Sequence, residues 1–230
     1  MLKESSQQQE LTYLSSYISK VMKRNFGKGP ELCTVFLENN LILVKFQNFI
    51  TPAEEVLYKK NELQLALQFR AALISAIIEE VKPEIETLTN LQLTKPLYDW
   101  NYEKNVGVIM FETTNVTDKY FPTNTSCDIS LIEKVKKVSG KVHKSPANVA
   151  LLTKKSNVFI LECYDVLIKV ESLLFENKYD HLLLERAQEI RKNFELYHQE
   201  FELVLDQKIS ELFITWDYEN NKSYIMIFGK

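Results

Sequence analysis

The same aromatic phrase occurs twice in this chain of 230 residues, as "WNYEKN" at 100–105 and as "WDYENN" at 216–221. Each phrase precedes a run of apolar residues, and together they contain both tryptophans of the chain. Self-similarity at a fixed spacing indicates a duplicated structural unit. We therefore predict that two copies of one unit build this protein.

The similarity extends well beyond the aromatic phrase. At a spacing of 116 residues, Arg70-Ala71 falls on Arg186-Ala187, and Pro30 falls on Pro146. The stretch "NLILVKFQNFI" (40–50) matches "NVFILECYDVL" (157–167) once the spacing grows by one residue. Because loops accept insertions readily, we place the extra residue in the turn between two strands.

Each copy has the pattern of a ββαββ unit. Two apolar runs around a polar turn predict a hairpin, with first strands at 32–37 and 149–153. Apolar residues at steps of three and four then predict a long helix, and the aromatic phrase begins a closing hairpin. The apolar helix positions are Leu67, Ala71, Ile74, Ile78, Val81, Ile85 and Leu88 in the first copy and Leu183, Ala187, Ile190, Phe194, Tyr197, Phe201 and Val204 in the second.

The predicted fold class is therefore α+β, a tandem duplication of a ββαββ unit with antiparallel sheets and long helices. A helix precedes each unit, at 4–25 and at 129–141. We predict a first repeat at 1–112, a polar linker at 113–128 and a diverged second repeat at 129–230. Strand residues are apolar on both faces, so either the other copy or another chain is expected to cover the second face of each sheet.

Pro83 lies inside the first long helix, where it removes a backbone donor and crowds the preceding turn. We expect a kink or a break near Lys82. The second copy has Gln199 at this place and is expected to run straight.

The closing hairpins explain the aromatic phrase in structural terms. Trp100 and Tyr102 should alternate onto one face of the incoming strand, with a turn at 103–105. Asn105 accepts the left-handed conformation that such a turn needs. The second copy repeats these markers as Trp216, Tyr218 and Asn221. We expect the aromatic residues to pack and the asparagines to turn the chain.

The strongest candidate for a binding site is "RNFGKGP", Arg24 to Pro30, between the first helix and the first strand. Glycines beside cations can expose backbone donors to an anion, with Arg24 and Lys28 supplying charge. The structural alternative is that Gly27 ends the helix, Gly29 permits a turn and Pro30 stops the helix from resuming. The second copy has "HKSP" (143–146), which keeps the lysine and the proline but neither glycine.

The stretch "ITPAEE" (50–55) predicts a helix start. Thr51 is suited to the N-cap, Pro52 to the first helical position, and Glu54 to the partner position of a capping box.

Other features narrow the function classes. A net charge of -3 does not favour a nucleic-acid partner, and no run of apolar residues reaches membrane-spanning length. No signal peptide is recognisable, so we expect a cytoplasmic protein. His143, His181 and His198 are too far apart in sequence for a local metal site, and Cys33, Cys127 and Cys163 form no paired motif. We predict no catalytic residues, no metal and no cofactor.

Together, "GKGP" (27–30), the following hairpin, "ITPAEE" and the long helix resemble the MpsC-like family, formerly a domain of unknown function. Family members have Gly-(Arg or Lys)-Gly-Pro near the start and Leu-Thr-x-x-Glu before the helix. This chain has Gly27, Lys28, Gly29 and Pro30, then Thr51 and Glu54, with Ile50 in place of the leucine. The second copy keeps only the acid, as Glu171.

The resemblance implies a bacterial protein of a sodium-translocating, membrane-potential-generating system. We expect a non-enzymatic cytoplasmic accessory protein, peripheral at the inner membrane face, whose partners are membrane transport subunits or a second copy of the chain. The alternative is a regulatory protein that binds a small ligand or an anion at Gly27–Pro30.

Overall fold

The computed structural model describes residues 2–114, 125–155 and 157–230, without the side chains of residues 2–6. The chain divides into two compact units, Met1–Thr117 and Asp118–Lys230. Each unit has a four-stranded antiparallel sheet with a helix leading into it, so the fold is a duplicated α+β unit as predicted. The predicted linker at 113–128 falls largely on residues 115–124, which lie outside the described residues.

The first unit contains three helices and four strands. In chain order they are α1 (Leu2–Phe26), β1 (Leu32–Glu38), β2 (Leu41–Gln47), α2 (Pro52–Lys59), α3 (Leu63–Thr89), β3 (Leu97–Asn101) and β4 (Val106–Glu112). The strand order is β1-β2-β4-β3. One hydrophobic core lies between α1, α3 and one face of this sheet, and the predicted helix positions Leu67, Ile74 and Ile85 are buried in it.

The second unit repeats this order with one more helix. Its elements are α4 (Ser126–Val142), β5 (Asn148–Lys155), β6 (Val158–Tyr164), α5 (Lys169–Glu176), α6 (Asp180–Glu195), α7 (His198–Leu205), β7 (Ile209–Asp217) and β8 (Lys222–Gly229). The strand order β5-β6-β8-β7 is the same as in the first unit. The single α position of the predicted unit thus holds two helices in the first repeat and three in the second.

The extra residue of the second repeat is not in the turn, where we predicted it. Glu38 pairs with Leu41 and Lys155 with Val158, so two residues connect the strands in both hairpins. The pairing register shifts instead between Leu151 and Thr153, at a bulge in β5. Because β5 is an edge strand, a bulge there disturbs the ladder on one side only.

Pro83 does not break the first long helix, whereas the second repeat, which we expected to run straight, contains a break. Helix α3 is unbroken from Leu63 to Thr89 with Pro83 inside it, whereas the chain leaves the helix between α6 and α7. The span of α3 has 27 residues, and its counterpart from Asp180 to Leu205 has one fewer. Removing one residue rotates the rest of a helix by about 100°. The break absorbs that rotation, so that α7 meets the core in the same register as the end of α3.

The closing hairpins have four-residue loops where we predicted three. Asn101 pairs with Val106, so Tyr102 begins the loop and does not continue the strand. The Asn101 side chain accepts a hydrogen bond from the Lys104 N–H, which ends the strand early. Asn105 and Asn221 have φ values of 49° and 53°, the left-handed conformation expected for them.

Within the described part of the chain, no helix combines the length and the apolar character that crossing a membrane requires.

Candidate functional site

The first repeat contains a buried ion pair between Glu54 and Arg70. Glu54 is 0% exposed and Arg70 is 1% exposed. Arg70 Nη2 donates to Glu54 Oε2 at 2.7 Å, and Arg70 Nε lies 2.5 Å from Glu54 Oε1. The same Nη2 donates to the carbonyl oxygen of Phe49 at 2.8 Å. Each buried charge costs several kcal/mol unless it is paired, so neither side chain can stay here without the other.

The start of α2 positions the carboxylate. Thr51 is the N-cap, and Glu54 closes the predicted capping box. The Thr51 N–H and the Thr51 hydroxyl donate to Glu54 Oε2 at 2.9 and 2.7 Å. The helix-start motif therefore also orients the acid toward the core.

Aromatic rings surround the guanidinium group. Its Cζ lies 3.9 Å from the centroid of the Trp100 ring, 4.9 Å from Phe49 and 5.8 Å from Tyr102. The Arg70 Nη1 has no hydrogen-bond partner among the described residues, so the ring faces offset part of its lost hydration. Trp100 can lie flat here because its cross-strand neighbour is Gly107, where a Cβ would overlap the indole.

Tyr102 links this centre to the surface. Its hydroxyl donates to the Ala66 carbonyl oxygen at 2.9 Å, and burial raises the pKa of Tyr102 well above its usual value. The half-exposed ring of Tyr58 stacks on Tyr102 with a centroid distance of 5.9 Å. A continuous aromatic stack thus covers the buried ion pair.

The second repeat keeps the acid but changes the cation. Glu171 Oε2 accepts from the Ile168 N–H at 3.0 Å, which repeats the capping geometry of Glu54. Its Oε1 contacts Arg186 Nε at 2.5 Å and His143 Nε2 at 2.8 Å. The side chains of His143 and Glu171 are 3% and 2% exposed, whereas that of Arg186 is 33% exposed.

A shift of one helical position explains why Arg186 is more exposed. Arg70 is the eighth residue of α3, whereas Arg186 is the seventh of α6. The starts of the two helices are equivalent positions, because the tyrosines of the closing hairpins bind the same place in each. Tyr102 donates to Ala66, the fourth residue of α3, and Tyr218 donates to Leu183, the fourth residue of α6. Arg186 therefore lies about 100° further around its helix and reaches Glu171 from the solvent side.

His143 occupies the place that this shift leaves open. It stands where the first repeat has Gly27, and its ring packs edge-on against Trp216 with centroids 5.3 Å apart. A cavity of about 10 Å³, room for about one water molecule, lies between His143, Trp216 and Ser223.

The Glu171 carboxyl is held in its ionised form. Burial alone would raise its pKa, but hydrogen bonds from His143, the Ile168 backbone and Arg186 outweigh burial and lower that pKa. The arrangement is that of a fixed structural carboxylate.

The predicted anion loop has internal contacts at each charged residue. Arg24 pairs with Glu80, and Lys28 Nζ donates to the Ile50 carbonyl oxygen at 3.1 Å. Gly27 has a φ of 73°, and a Cβ on Gly29 would lie 3.0 Å from the Ser19 carbonyl oxygen. Pro30 follows directly and leads into β1. These contacts fit the structural alternative, while anion binding at this loop stays a prediction.

The other residues that the sequence analysis named lie outside this loop. Trp100 and Tyr102 lie in the first core, and Trp216 and Tyr218 pack against the second, where their rings stack 6.0 Å apart. Burial raises the pKa of the Cys33 and Cys163 thiols to about 12. The described residues include no group of three metal-ligating side chains.

Sequence reasoning missed the Glu54–Arg70 pair, although both residues had been aligned between the copies. The signal was present, because Arg70 follows Leu67 by three and precedes Ile74 by four, which places a charge on the apolar face of the helix. A charged residue at such a position needs a buried partner.

The fold and these centres define a class of duplicated α+β protein in which each repeat fixes a carboxylate under its helices. The family model described as "Na+-translocating membrane potential-generating system (MpsC)" matches residues 6–114. The match confirms the resemblance of the first repeat to the MpsC family.

One curated relative is the uncharacterized protein YrhF of Bacillus subtilis strain 168. It is 29% identical over 96 residues, which are 41% of this chain and 79% of YrhF. No solved structure matches the chain.

Proposed function

We propose that this protein is a non-enzymatic accessory protein of a bacterial membrane-potential-generating, sodium-translocating system, acting by binding at the cytoplasmic face of the membrane. The observation that carries the proposal is the MpsC family match, which spans the first repeat from residue 6 to residue 114. Other subunits would then move the ion, and this chain would bind them.

The construction of the first repeat supports a binding role. Its Glu54–Arg70 pair is sealed from solvent, with both partners at 1% exposure or less. A catalytic acid or base must reach a substrate proton, and this carboxylate is instead fully engaged by Arg70 and Thr51. The pair therefore stabilises the fold of the repeat. Binding of a partner would then use the surface of the repeat.

The test uses the source bacterium. A strain lacking the protein should build a smaller sodium-dependent membrane potential, measured with a potential-sensitive dye, and the full-length gene should restore it. Affinity capture of the tagged chain after crosslinking should recover subunits whose sequences identify them as ion transporters. An unchanged sodium-dependent potential together with no transport subunit in the capture would contradict the proposal.

A second candidate is an anion-binding regulator using Arg24, Gly27, Lys28, Gly29 and Pro30. The open space beside Gly27, where no atom lies within 4 Å of a Cβ position, favours it. Nucleotides, phosphates and carboxylates should then raise the melting temperature, and Arg24→Gln with Lys28→Ala should remove the increase. If no compound raises the melting temperature of the unaltered protein, the loop has only its structural role.

A further inference from the structure

The outer face of α3 is apolar and is not covered by the other elements of the first unit. Leu65 is 49% exposed and Phe69 is 38% exposed, and Ala72 and Ala76 are also exposed. Their separations of four, three and four residues place all four on one stripe of the helix. The opposite side of the same helix faces its own core. We call this set, Leu65, Phe69, Ala72 and Ala76, the α3 stripe.

The second repeat shows that the fold does not require such a stripe. At the same positions counted from the helix start, α6 has Leu182, Arg186, Glu189 and Asn193. Three of the four are polar or charged. The apolar stripe is thus a property of the first repeat alone.

The spacing of the α3 stripe is the one at which a second helix packs, since a four-three-four pattern matches the a and d positions of a coiled coil. Its two ends differ in size, with Leu65 and Phe69 at one end and Ala72 and Ala76 at the other. In an antiparallel pair, a positions face d positions. Leu65 would then face Ala76 of a second copy, and Phe69 would face Ala72.

The α3 stripe is therefore complementary to itself under a two-fold rotation, because every large side chain meets a small one in both halves of the pair. We propose that the α3 stripe is a self-association surface, on which two copies of this chain pair through antiparallel α3 helices. This proposal does not depend on the proposed function.

The α3 stripe has uncharged flanks and a carboxylate beyond each end. The flanking residues Gln68 and Ser75 are uncharged. Exposed Glu79 follows the stripe, and in the pair it would face exposed Glu62 at the N-terminus of α3 in the other copy. That end has no side-chain cap, and Lys59 and Lys60 precede it, so the helix dipole and two ammonium groups offset part of the repulsion between the two carboxylates.

The repulsion between Glu62 of one copy and Glu79 of the other opposes pairing. Lys59 and Lys60 offset it only in part, since Lys59 also pairs with Glu55 on its own helix. Because Glu62 and Glu79 bound the stripe, sliding the two helices by one heptad would place a carboxylate on apolar residues. The carboxylates therefore disfavour sliding, and their mutual repulsion weakens the pair.

The stripe is about 17 Å long, since an α-helix rises about 1.5 Å per residue. A contact of this length buries less than the roughly 800 Å² per partner of a standard interface. We therefore expect a dimer that dissociates on dilution, with a Kd on the order of ten micromolar.

Sedimentation velocity of the full chain over a range of concentrations tests the proposal. The unaltered protein should move from the 26.9 kDa monomer toward twice that mass as its concentration rises. Ala76→Glu should weaken association at least about tenfold, because it would bury a charge against Leu65. The matched control is Asn193→Glu, which adds the same charge at the equivalent place on α6 and should leave the Kd unchanged.

A size exchange tests the antiparallel geometry. Phe69→Ala and Ala72→Phe should each weaken association, and the double variant should recover it, because a large side chain would then again face a small one, with the two positions exchanged. A monomer at all concentrations up to about 500 μM would overturn the proposal. Equal effects of Ala76→Glu and Asn193→Glu, or a folded double variant that stays as weak as the single ones, would overturn it too.

Discussion

The two repeats hold the same buried carboxylate with different cations. In the first, Arg70 meets Glu54 inside an aromatic cage, and both side chains are closed off from solvent. In the second, Glu171 is shared between a half-exposed Arg186 and a buried His143. A duplicated unit can therefore keep a structural acid while a different element supplies its partner.

The length of the helical span is what separates the two centres. One residue fewer moves the arginine around its helix and forces the break before α7. The vacated volume is then filled from the loop after α4, where histidine replaces the glycine of "GKGP". A change in one element is thus compensated in another.

The largest expected effect is loss of the carboxylate in the first repeat. Glu54→Ala would leave the Arg70 charge buried without a partner and should lower the free energy of unfolding by about 3–5 kcal/mol. Urea unfolding in a Trp216→Phe background, where Trp100 reports on the first repeat, measures this loss. The control is Glu55→Ala, whose carboxylate and its partner Lys59 are largely exposed and should contribute little. Equal effects of the two variants would contradict the importance of the pair.

A steric change should come next. Gly107→Ala places a methyl group inside the volume of the Trp100 ring and should cost about 3 kcal/mol in the free energy of unfolding. The second repeat already has Ser223 opposite Trp216, so Ser223→Ala should change stability by less than about 1 kcal/mol. Thermal melts of both variants decide the comparison, and a neutral Gly107→Ala would show that Trp100 is free to move.

Loss of the histidine should be smaller than either change in the first repeat. His143→Ala removes one hydrogen bond to Glu171, while Arg186 and the Ile168 N–H remain, so we expect a loss of about 1–2 kcal/mol. Urea unfolding followed by Trp216 fluorescence in a Trp100→Phe background measures it. A loss as large as that of Glu54→Ala would mean that His143, not Arg186, provides most of the compensation.

The pH dependence of the second repeat should have a defined sign. The pKa of Glu171 is lowered in the folded state, so its contribution is fully present above the unfolded value, about 4.3, and is lost as the pH falls through the lower folded pKa. Unfolding between about pH 5 and pH 2 should therefore be less steep in Glu171→Gln than in the unaltered protein. Identical acid unfolding curves for Glu171→Gln and the unaltered protein would contradict a lowered pKa of Glu171 in the folded state.

Much of the fold followed from the sequence because the signals are local. The duplication, the hairpins, the Thr51 capping box and the left-handed Asn105 all depend on residues close together in the chain. The helix break could not be predicted from Pro83, since the buried positions on both sides of it keep α3 continuous. The break lies in the second repeat, whose helical span is one residue shorter than α3. This difference in length can be seen only in the structure, where tertiary contacts define both ends of each span.

The buried centres were less accessible to sequence reasoning. Glu54 and Arg70 are sixteen residues apart on two helices, and only the fold brings their side chains together. The one-residue shift also concealed the difference between Arg70 and Arg186, because the sequence alignment matched two arginines that occupy different helical positions. His143 was judged by its distance in sequence from the other histidines, which carries no information about Glu171.

A pair of double-mutant cycles tests most directly the claim that the two repeats stabilise one acid in different ways. The cycle of Glu54→Gln with Arg70→Met should give a coupling energy of about 2–3 kcal/mol. The cycle of Glu171→Gln with Arg186→Met should give less than about 1 kcal/mol, since Arg186 is partly solvated and His143 remains in place. Equal couplings in the two repeats, or a larger coupling in the second, would contradict it.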